Sequence, residues 1–303
     1  MIAVSDAIDR LSTALGGGPA AKLAASALIE ADALDLPRFG IAMLDEWTAD
    51  AAPVPTVEGR QGISWLDCSS AFAPLAVAAA TLDLAEAARQ FGIAAVFLRG
   101  VRGLGRLAPF VRHFADAGLI GMAGAEGPPF VAPFGGTRPV IGTNPFALAM
   151  GKGDDRVIID VASSTATMAD IRNARASGTP MPEGIAVDRE GRPTRIAAEV
   201  AALLPRGGQI GSLLGLVVEL MAGAAGGGRG DPKGRGAFII ALDPARAEEG
   251  VDWQAKLAAL KTDWTDGGGH WPRGGSVPPD AVLDSVFAER LESYLVRMTG
   301  QTG

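Results

Sequence analysis

The chain has 303 residues, 48% hydrophobic and 20% charged, long enough to bury a sizeable core and, at about 100–200 residues per domain, to form two lobes. A formal net charge of −7, with no run of Lys or Arg beyond two, sets up a field that repels nucleic acid and anionic membrane surfaces, so the expected partner is a small molecule. One cysteine and two histidines exclude an internal disulfide and leave no ligand set for a zinc or cysteine metal site.

The opening MIAVSDAIDRLSTAL lacks the basic segment and long apolar stretch of a signal peptide, which makes the cytoplasm the expected compartment. Residues 3–50 read as helical, because VSDAIDRLSTAL and AAKLAASALIEADAL place apolar residues three and four apart. GISWLD reads as a strand, and FAPLAVAAATLDLAEAARQFG as a long alanine-rich helix ended by Gly92. Beyond it the apolar period shortens. AAVFL, GLIGMAGA, PVIGTNPFALAM, RVIIDVAS, GIAVD and GAFIIALD are strand candidates between Pro/Gly turns, with helices predicted near 165–177, 196–204 and 212–225. The longest apolar stretch, GSLLGLVVELMAGAAG, contains Glu219 and falls short of the ~18 residues that a membrane span needs. GAAGGGRGDPKGRG (223–236) reads as a flexible loop, and DAVLDSVFAERLESYLVRM as a closing helix.

One stretch looks like a nucleotide fingerprint. After the strand Ala94 to Leu98, the turn carries Gly103, Gly105 and Ala108 at the G-x-G-x-x-A spacing that brings a backbone close to a pyrophosphate. About twenty residues on, GLIGMAGAE ends in Glu126, where a Rossmann unit places its ribose-binding carboxylate.

The middle third points elsewhere. PPFVAPFGGTRPVIGTNPFALAM (128–150), IIDVASS (158–164), MPEGIAVDREGRPT (181–194), GGQIGSLLGLVVELMAG (207–223) and GAFIIALDP (236–244) follow one another in the order and spacing of a known family. From about residue 20 to 295 the chain resembles the type 2 malate/L-lactate dehydrogenases, a family that also contains ureidoglycolate dehydrogenases, sulfolactate dehydrogenases and cyclic imino acid reductases. The resemblance implies an α/β (α+β) fold that is not Rossmann: a mostly antiparallel mixed sheet lobe beside a helical lobe, in a homodimer. It assigns residues 1–115 with 272–303 to the helical, substrate-binding lobe and 116–271 to the sheet lobe, which carries NAD or NADP.

The residues of these blocks suit such a ligand. Gly142 admits a close backbone approach, Pro145 biases Asn144 away from helical backbone, and Thr143 and Asn144 offer a hydroxyl and an amide. Asp160, Ser163 and Ser164 supply a carboxylate and two hydroxyls, and Gly207, Gly208 and Gly211 open an apolar helix that can seat phosphate. The same residues also suit tight turns between strands.

The resemblance takes the fingerprint away. Matching PFVRHFADAGLIG without gaps puts Gly103 at a family active-site histidine, Leu104 at a phenylalanine and Gly105 at a glycine. The family's N-terminal S-H-G-x-x-R falls on RFGIAM: Arg38 for serine, Phe39 for histidine, Gly40 retained, Met43 for arginine; Ile210 stands for a customary lysine. Neither glycine nor phenylalanine can relay a proton. Among replacements, Asp67 and Ser69 are the proton-handling candidates, while Cys68 lacks a visible base. Arg38 and Arg102, with Arg99 and Arg106, either form an anion-binding cleft or are solvated. His113 and His270 match no family site and read as structural.

Two readings follow. One is an NAD(P)-dependent oxidoreductase acting on a 2-hydroxy or 2-oxo acid or a cyclic imino acid, with an altered active site and protonation by water or Asp67. The other is a non-redox descendant that has lost the cofactor: a binding or regulatory protein, or new chemistry on the same fold.

Overall fold

Helical spacing and turn chemistry build the N-terminal elements. The computed structural model describes residues 1–47, 58–60, 62–231, 234–246 and 252–300. β1 (Ile2–Ala3) leads into α1 (Val4–Ala14), which buries Val4, Ala7 and Leu11 at a helical repeat. α2 (Gly18–Ala33) carries Pro19 in its first turn, where a missing N–H costs nothing, and buries a broad face from Ala21 to Ala31. Two 3-10 turns, Pro37–Phe39 and Ile41–Glu46, flank Gly40. β2 (Glu58–Arg60) and β3 (Ile63–Asp67) precede α3 (Ala73–Phe91), which Gly92 ends at a φ of 84° that favours glycine. Of the predicted helical segment, residues 48–50 lie outside the described residues, as do Pro232 and Lys233 of the predicted loop.

A strand and a helix, three successive strands and another helix follow: β4 (Ile93–Val101), α4 (Ala108–Asp116), β5 (Ile120–Ala125), β6 (Phe146–Met150), β7 (Val157–Val161) and α5 (Met168–Ser177). A two-stranded ribbon of β8 (Ala186–Val187) and β9 (Ala202–Leu203) follows, then α6 (Gln209–Val218), which runs on as a π-helical turn, Glu219–Ala225. β10 (Arg235–Leu242), α7 (Trp253–Asp266), β11 (Val282–Leu283) and α8 (Ser285–Thr299) close the chain, with β11 pairing β1.

The main sheet has seven strands in the order β2-β3-β4-β10-β5-β6-β7. Among the described strands of this sheet only β3 and β4 pair in parallel; the other five pairings are antiparallel, as the family resemblance implies. β4 and β5 both lie antiparallel to β10, which sits between them. The glycine loop and α4 therefore do not cross between adjacent parallel strands, and the Rossmann alternative is excluded. One sheet face, with Leu66, Val96, Leu98, Ala123, Ala147, Ile158 and Ile239, is buried in the main core with α1 to α4. On the other face Val218 and Ala222 pack on Phe238. A second core of Val131, Ile141, Ile171, Met181 and Leu203 sits under the β8–β9 ribbon.

Several predicted elements change shape. The helix expected at 196–204 is a turn followed by β9. Ala197, Val200 and Leu203 are buried at three-residue intervals, which imitates a helix, but Leu203 N–H donates to the Phe130 carbonyl and Ala201 N–H to that of Val187, so the backbone is spent on a ribbon. The strand expected over 139–150 is confined to β6, because Asn144 takes a φ of 34° and breaks the ladder. The loop expected from residue 223 begins only after the π-helical turn. The closing helix starts at Ser285, where Asp284 accepts a hydrogen bond from the Phe287 N–H, and α7 is an additional helix begun by Asp252 capping Ala255 N–H.

Candidate active site

The two segments in which the resemblance locates altered catalytic positions pack directly on one another. Gly103 and Gly105 have φ of 94° and 72°. A Cβ added at Gly103 would lie 3.5 Å from Met43 Cε, and one at Gly105 would lie 3.3 Å from both Met43 Sδ and the Phe39 carbonyl oxygen. A thioether and a backbone carbonyl thus meet the glycine loop where an imidazole pair would work. The 3-10 segment bearing Phe39 and Met43 is held from beneath. Asp32, at the end of α2, accepts the Ile41 N–H at 2.6 Å, and its carboxylate lies so close to Gly40 that a Cβ there would come 1.9 Å from Oδ2. The retained glycine is therefore required by packing. Burial pushes the Asp32 carboxyl up to about 6, against the lowering effects of the Ile41 N–H and of Arg290.

On the other side of the loop, Asp160 at the end of β7 caps α4 from a distant part of the chain. Its Oδ2 accepts the N–H groups of Leu107 (3.1 Å) and Ala108 (2.9 Å), supplying the acceptor that a helix N-terminus needs. Burial raises its pKa despite those bonds and the nearby Arg106. Arg106 itself donates to Glu30 Oε1 (2.7 Å) and to the Gly274 carbonyl (2.6 Å), while Arg112 donates to Glu30 Oε2 (2.6 Å). Glu30 thereby pins the loop and α4 to α2. Arg99 stacks on the Trp65 ring with its guanidinium carbon 4.6 Å from the centroid. Arg38 and Arg102 are exposed beside the loop.

Asp67 pairs across the sheet with Arg99, and its Oδ1 accepts the Ser69 N–H at 2.9 Å. Cys68 is buried and its thiol is pushed up to about 12 by burial first and the Asp67 charge second, which rules out a thiolate nucleophile at neutral pH. His113 packs edge-on to Phe114, with burial lowering its pKa, and His270 lends its carbonyl to Trp264 Nε1. Glu126 is buried, with Oε1 accepting the Gly236 N–H, far from the role of a ribose ligand at a Rossmann turn.

The remaining predicted positions form a line along the C-terminal end of β7. Gly142 is pressed on Gly127: a Cβ there would be 2.5 Å from the Gly127 backbone. Ser163 donates from both N–H and Oγ to the Thr143 carbonyl, its own carbonyl accepts the Arg206 N–H, and buried Ser164 donates to the Ala166 carbonyl. Asn144 is fully buried with its amide engaged, and Pro145 leads into β6. The half-buried Thr143 hydroxyl has no hydrogen-bond partner among the described residues. Gly207 and Gly208 turn at φ of 64° and 65° into α6, and a Cβ at Gly207 would meet open space. A ten-residue helix thus presents its N-terminus beside exposed Arg206, a cation that sequence reading passed over although it adjoins the two glycines. Asp32 was also passed over, since nothing in its helix marks it as the support of a segment further along the chain.

Comparison with known proteins gives the family and the fold. The malate/L-lactate dehydrogenase family pattern matches residues 7–267. A Δ1-pyrroline-2-carboxylate/Δ1-piperideine-2-carboxylate reductase of Pseudomonas syringae pv. tomato is 35% identical over 274 residues, covering 88% of this chain and 72% of that protein. A (2R)-3-sulfolactate dehydrogenase (NADP+) of Chromohalobacter salexigens is 33% identical over 252 residues, 76% of each. The crystal structure of Δ1-piperideine-2-carboxylate reductase from Pseudomonas syringae pv. tomato superposes with a TM-score of 0.81 at 26% identity, over 97% of this chain and 99% of that one. The chain belongs to the malate/L-lactate dehydrogenase family.

Proposed function

We propose that the protein is an NAD(P)H-dependent reductase whose preferred substrate is a cyclic imino acid rather than a 2-oxo acid. The observation that carries this reading is the contact of Phe39 and Met43 with Gly103 and Gly105, a surface with no group able to relay a proton. The nicotinamide, when bound, supplies a hydride to the substrate carbon. A carbonyl oxygen must gain a proton as that hydride arrives. An imine nitrogen is basic enough to be protonated beforehand, so its reduction leans less on a positioned acid. Loss of the imidazoles thus handicaps carbonyl reduction by on the order of 10²–10⁴ while sparing the imine.

The chain's own groups fit the remaining tasks. The N-terminus of α6, open at Gly207 and flanked by the Phe134 ring at Gly208, suits a phosphate group together with Arg206, and the unpartnered Thr143 hydroxyl suits a polar part of the cofactor. Asn144, Ser163 and Ser164 hold that seat from behind, with Gly142 and Pro145 fixing the turn. Arg38 and Arg102 offer positive charge for a substrate carboxylate beside the loop. Asp160, whose pKa burial raises, caps the helix that follows the same loop and is a proton-handling candidate, with Asp67 as the second. The exposed apolar residues Ile210, Leu213, Val217 and Leu220, along one side of α6 and its π-helical turn, suit a two-fold homodimer, to be checked by light scattering.

The test is a paired assay. NADH and NADPH are titrated into the purified protein by nicotinamide fluorescence, and turnover is compared for Δ1-piperideine-2-carboxylate, pyruvate and oxaloacetate. The expected result is cofactor binding with kcat/KM for the imine at least about tenfold above either 2-oxo acid. Equal or faster turnover of the 2-oxo acids refutes the imine preference, and absence of binding by either cofactor refutes the reductase.

A further inference from the structure

We propose that Glu219 is a positioning residue: through Asn144 it fixes the turn that presents the Thr143 hydroxyl, and so sets cofactor affinity without touching the cofactor. The inference deepens the reductase reading and rests on it for the cofactor.

Asn144 is fully buried and sits at a φ of 34°, a left-handed conformation that a non-glycine residue holds only with support. Its Oδ1 accepts the Gly127 N–H at 3.1 Å, and its Nδ2 donates to the Gly215 carbonyl at 3.0 Å and to Glu219 Oε2 at 2.9 Å. Both amide hydrogens and one lone pair of the amide oxygen are engaged inside the protein, and complete burial shields the remaining lone pair from a ligand. The neighbouring Thr143 differs. Its carbonyl is fixed by Ser163, and its hydroxyl has no partner among the described residues.

Glu219 is 5% exposed and opens the π-helical turn that prolongs α6. Its Oε1 accepts from Arg229 Nη1, so its charge is compensated while Oε2 serves Asn144. A second buried carboxylate, Glu126, converges on the same place: a Cβ at Gly223 would lie 3.0 Å from Glu126 Oε2 and 3.2 Å from Glu219 Oε1. Burial and the Glu219 charge both raise the Glu126 pKa. Two buried acids sharing the charge of Arg229 make a costly arrangement, of a kind that survives where it fixes one geometry among several. Here one helix supports both halves of the cofactor seat. Its N-terminus faces the proposed phosphate position, and Gly215 and Glu219 near its other end grip Asn144.

The test is a double-mutant cycle with Asn144→Asp, Glu219→Gln and the pair, read in three ways: NADPH affinity, thermal unfolding without cofactor, and hydrogen exchange of peptides spanning 142–145 without cofactor. Asn144→Asp sets a carboxylate against Glu219, and is expected to weaken NADPH by about tenfold or more, lower the melting temperature and speed exchange. Adding Glu219→Gln lets the glutamine amide donate to the carboxylate introduced at position 144, and is expected to recover part of all three losses, the remainder being the lost bond to the Gly215 carbonyl. Thr143→Val is expected to weaken NADPH with unfolding and exchange unchanged. Additive losses in the cycle, or an Asn144→Asp defect in affinity alone with exchange untouched, would show that Asn144 meets the cofactor itself and overturn the proposal. Failure of the wild type to bind either cofactor removes the reductase reading, and the exchange and unfolding cycles then decide the clamp alone.

Discussion

Replacing Asp32 by Asn should stabilise the protein above neutral pH, and the size of the effect follows from the burial of one carboxyl. The side chain is 4% exposed, accepts the Ile41 N–H, and has Arg290 3.7 Å from its other oxygen. Its pKa rises from 3.8 to about 6 in the folded protein. A folded pKa above the unfolded one means that the native state binds the proton more tightly, so the ionised form is the one that folding penalises. The penalty is absent below about pH 4, grows between about pH 4 and 6, and is complete above about 6. At about 1.4 kcal/mol per pH unit it amounts to about 3 kcal/mol. Asn keeps an oxygen for the Ile41 N–H and carries no charge, and the Arg290 attraction is already contained in the net rise. The expected gain is therefore up to about 3 kcal/mol at about pH 8, shrinking to nothing near pH 4, measured as the difference between variant and wild type in urea midpoints. Asp32→Ala, which also orphans the Ile41 N–H, should lack this gain. A variant destabilised equally at both pH values, or stabilised more at the acidic one, would refute the reasoning.

Two further substitutions probe the same corner. Gly40→Ala sets a Cβ 1.9 Å from Asp32 Oδ2 and 3.1 Å from the Asp32 backbone nitrogen, so it should cost about 1–3 kcal/mol in chemical denaturation, and a silent Gly40→Ala would show that the 3-10 segment shifts freely. Phe39→His returns an imidazole to the position that the family resemblance gives to a histidine and should raise kcat/KM for pyruvate relative to Δ1-piperideine-2-carboxylate by about tenfold, with a bell-shaped pH profile for the oxo acid; an unchanged ratio would show that the lost relay does not set substrate preference.

The sequence carried the local elements where a local signal exists. Pro19 and Pro74 in first turns, Gly92 at a left-handed stop, and the three-and-four spacing of Val4, Ala7 and Leu11 each act within one turn of helix. The antiparallel sheet followed from the family blocks alone. Nothing in GAFIIALD says that Phe238 will face Phe97 and Gly124, since that register joins strands more than about a hundred residues apart. The 196–204 helix failed because burial at Ala197, Val200 and Leu203 is set by the second core and not by a helix face. At the candidate site the sequence marks residue type, and type alone does not say whether a polar group is spent. Asn144, Ser163 and Ser164 looked like ligand groups and are bonded within the protein. Thr143 sits among them with its hydroxyl unpartnered among the described residues, and that difference exists only once the chain is folded.

The pattern of what has changed in this chain has a physical logic. The proposed phosphate seat depends on backbone N–H groups at the start of α6 and on glycines at φ of 64° and 65°, so it tolerates almost any drift in the side chains around it, including Ile210 where a lysine is customary. Proton relay depends on the identity of one or two side chains and is lost by a single exchange. At positions 39, 43 and 103 the exchanges have been absorbed by packing: Met43 fills the space against both loop glycines, and the Glu30–Arg106 pair and the Asp160 cap hold the loop in place. Asp160 caps α4 through Leu107 and Ala108, and burial raises its pKa, so a titratable group stands beside the altered loop. An enzyme with a changed proton source would find its candidate donor there. The same argument says where to look for the new source: Asp160→Asn keeps an acceptor for Leu107 and Ala108 and removes only the titratable proton. It should therefore leave the fold and cofactor affinity within about twofold while lowering imine turnover and removing the fall in rate that sets in as pH rises through the Asp160 pKa. Full activity in Asp160→Asn would assign the proton to water or to Asp67.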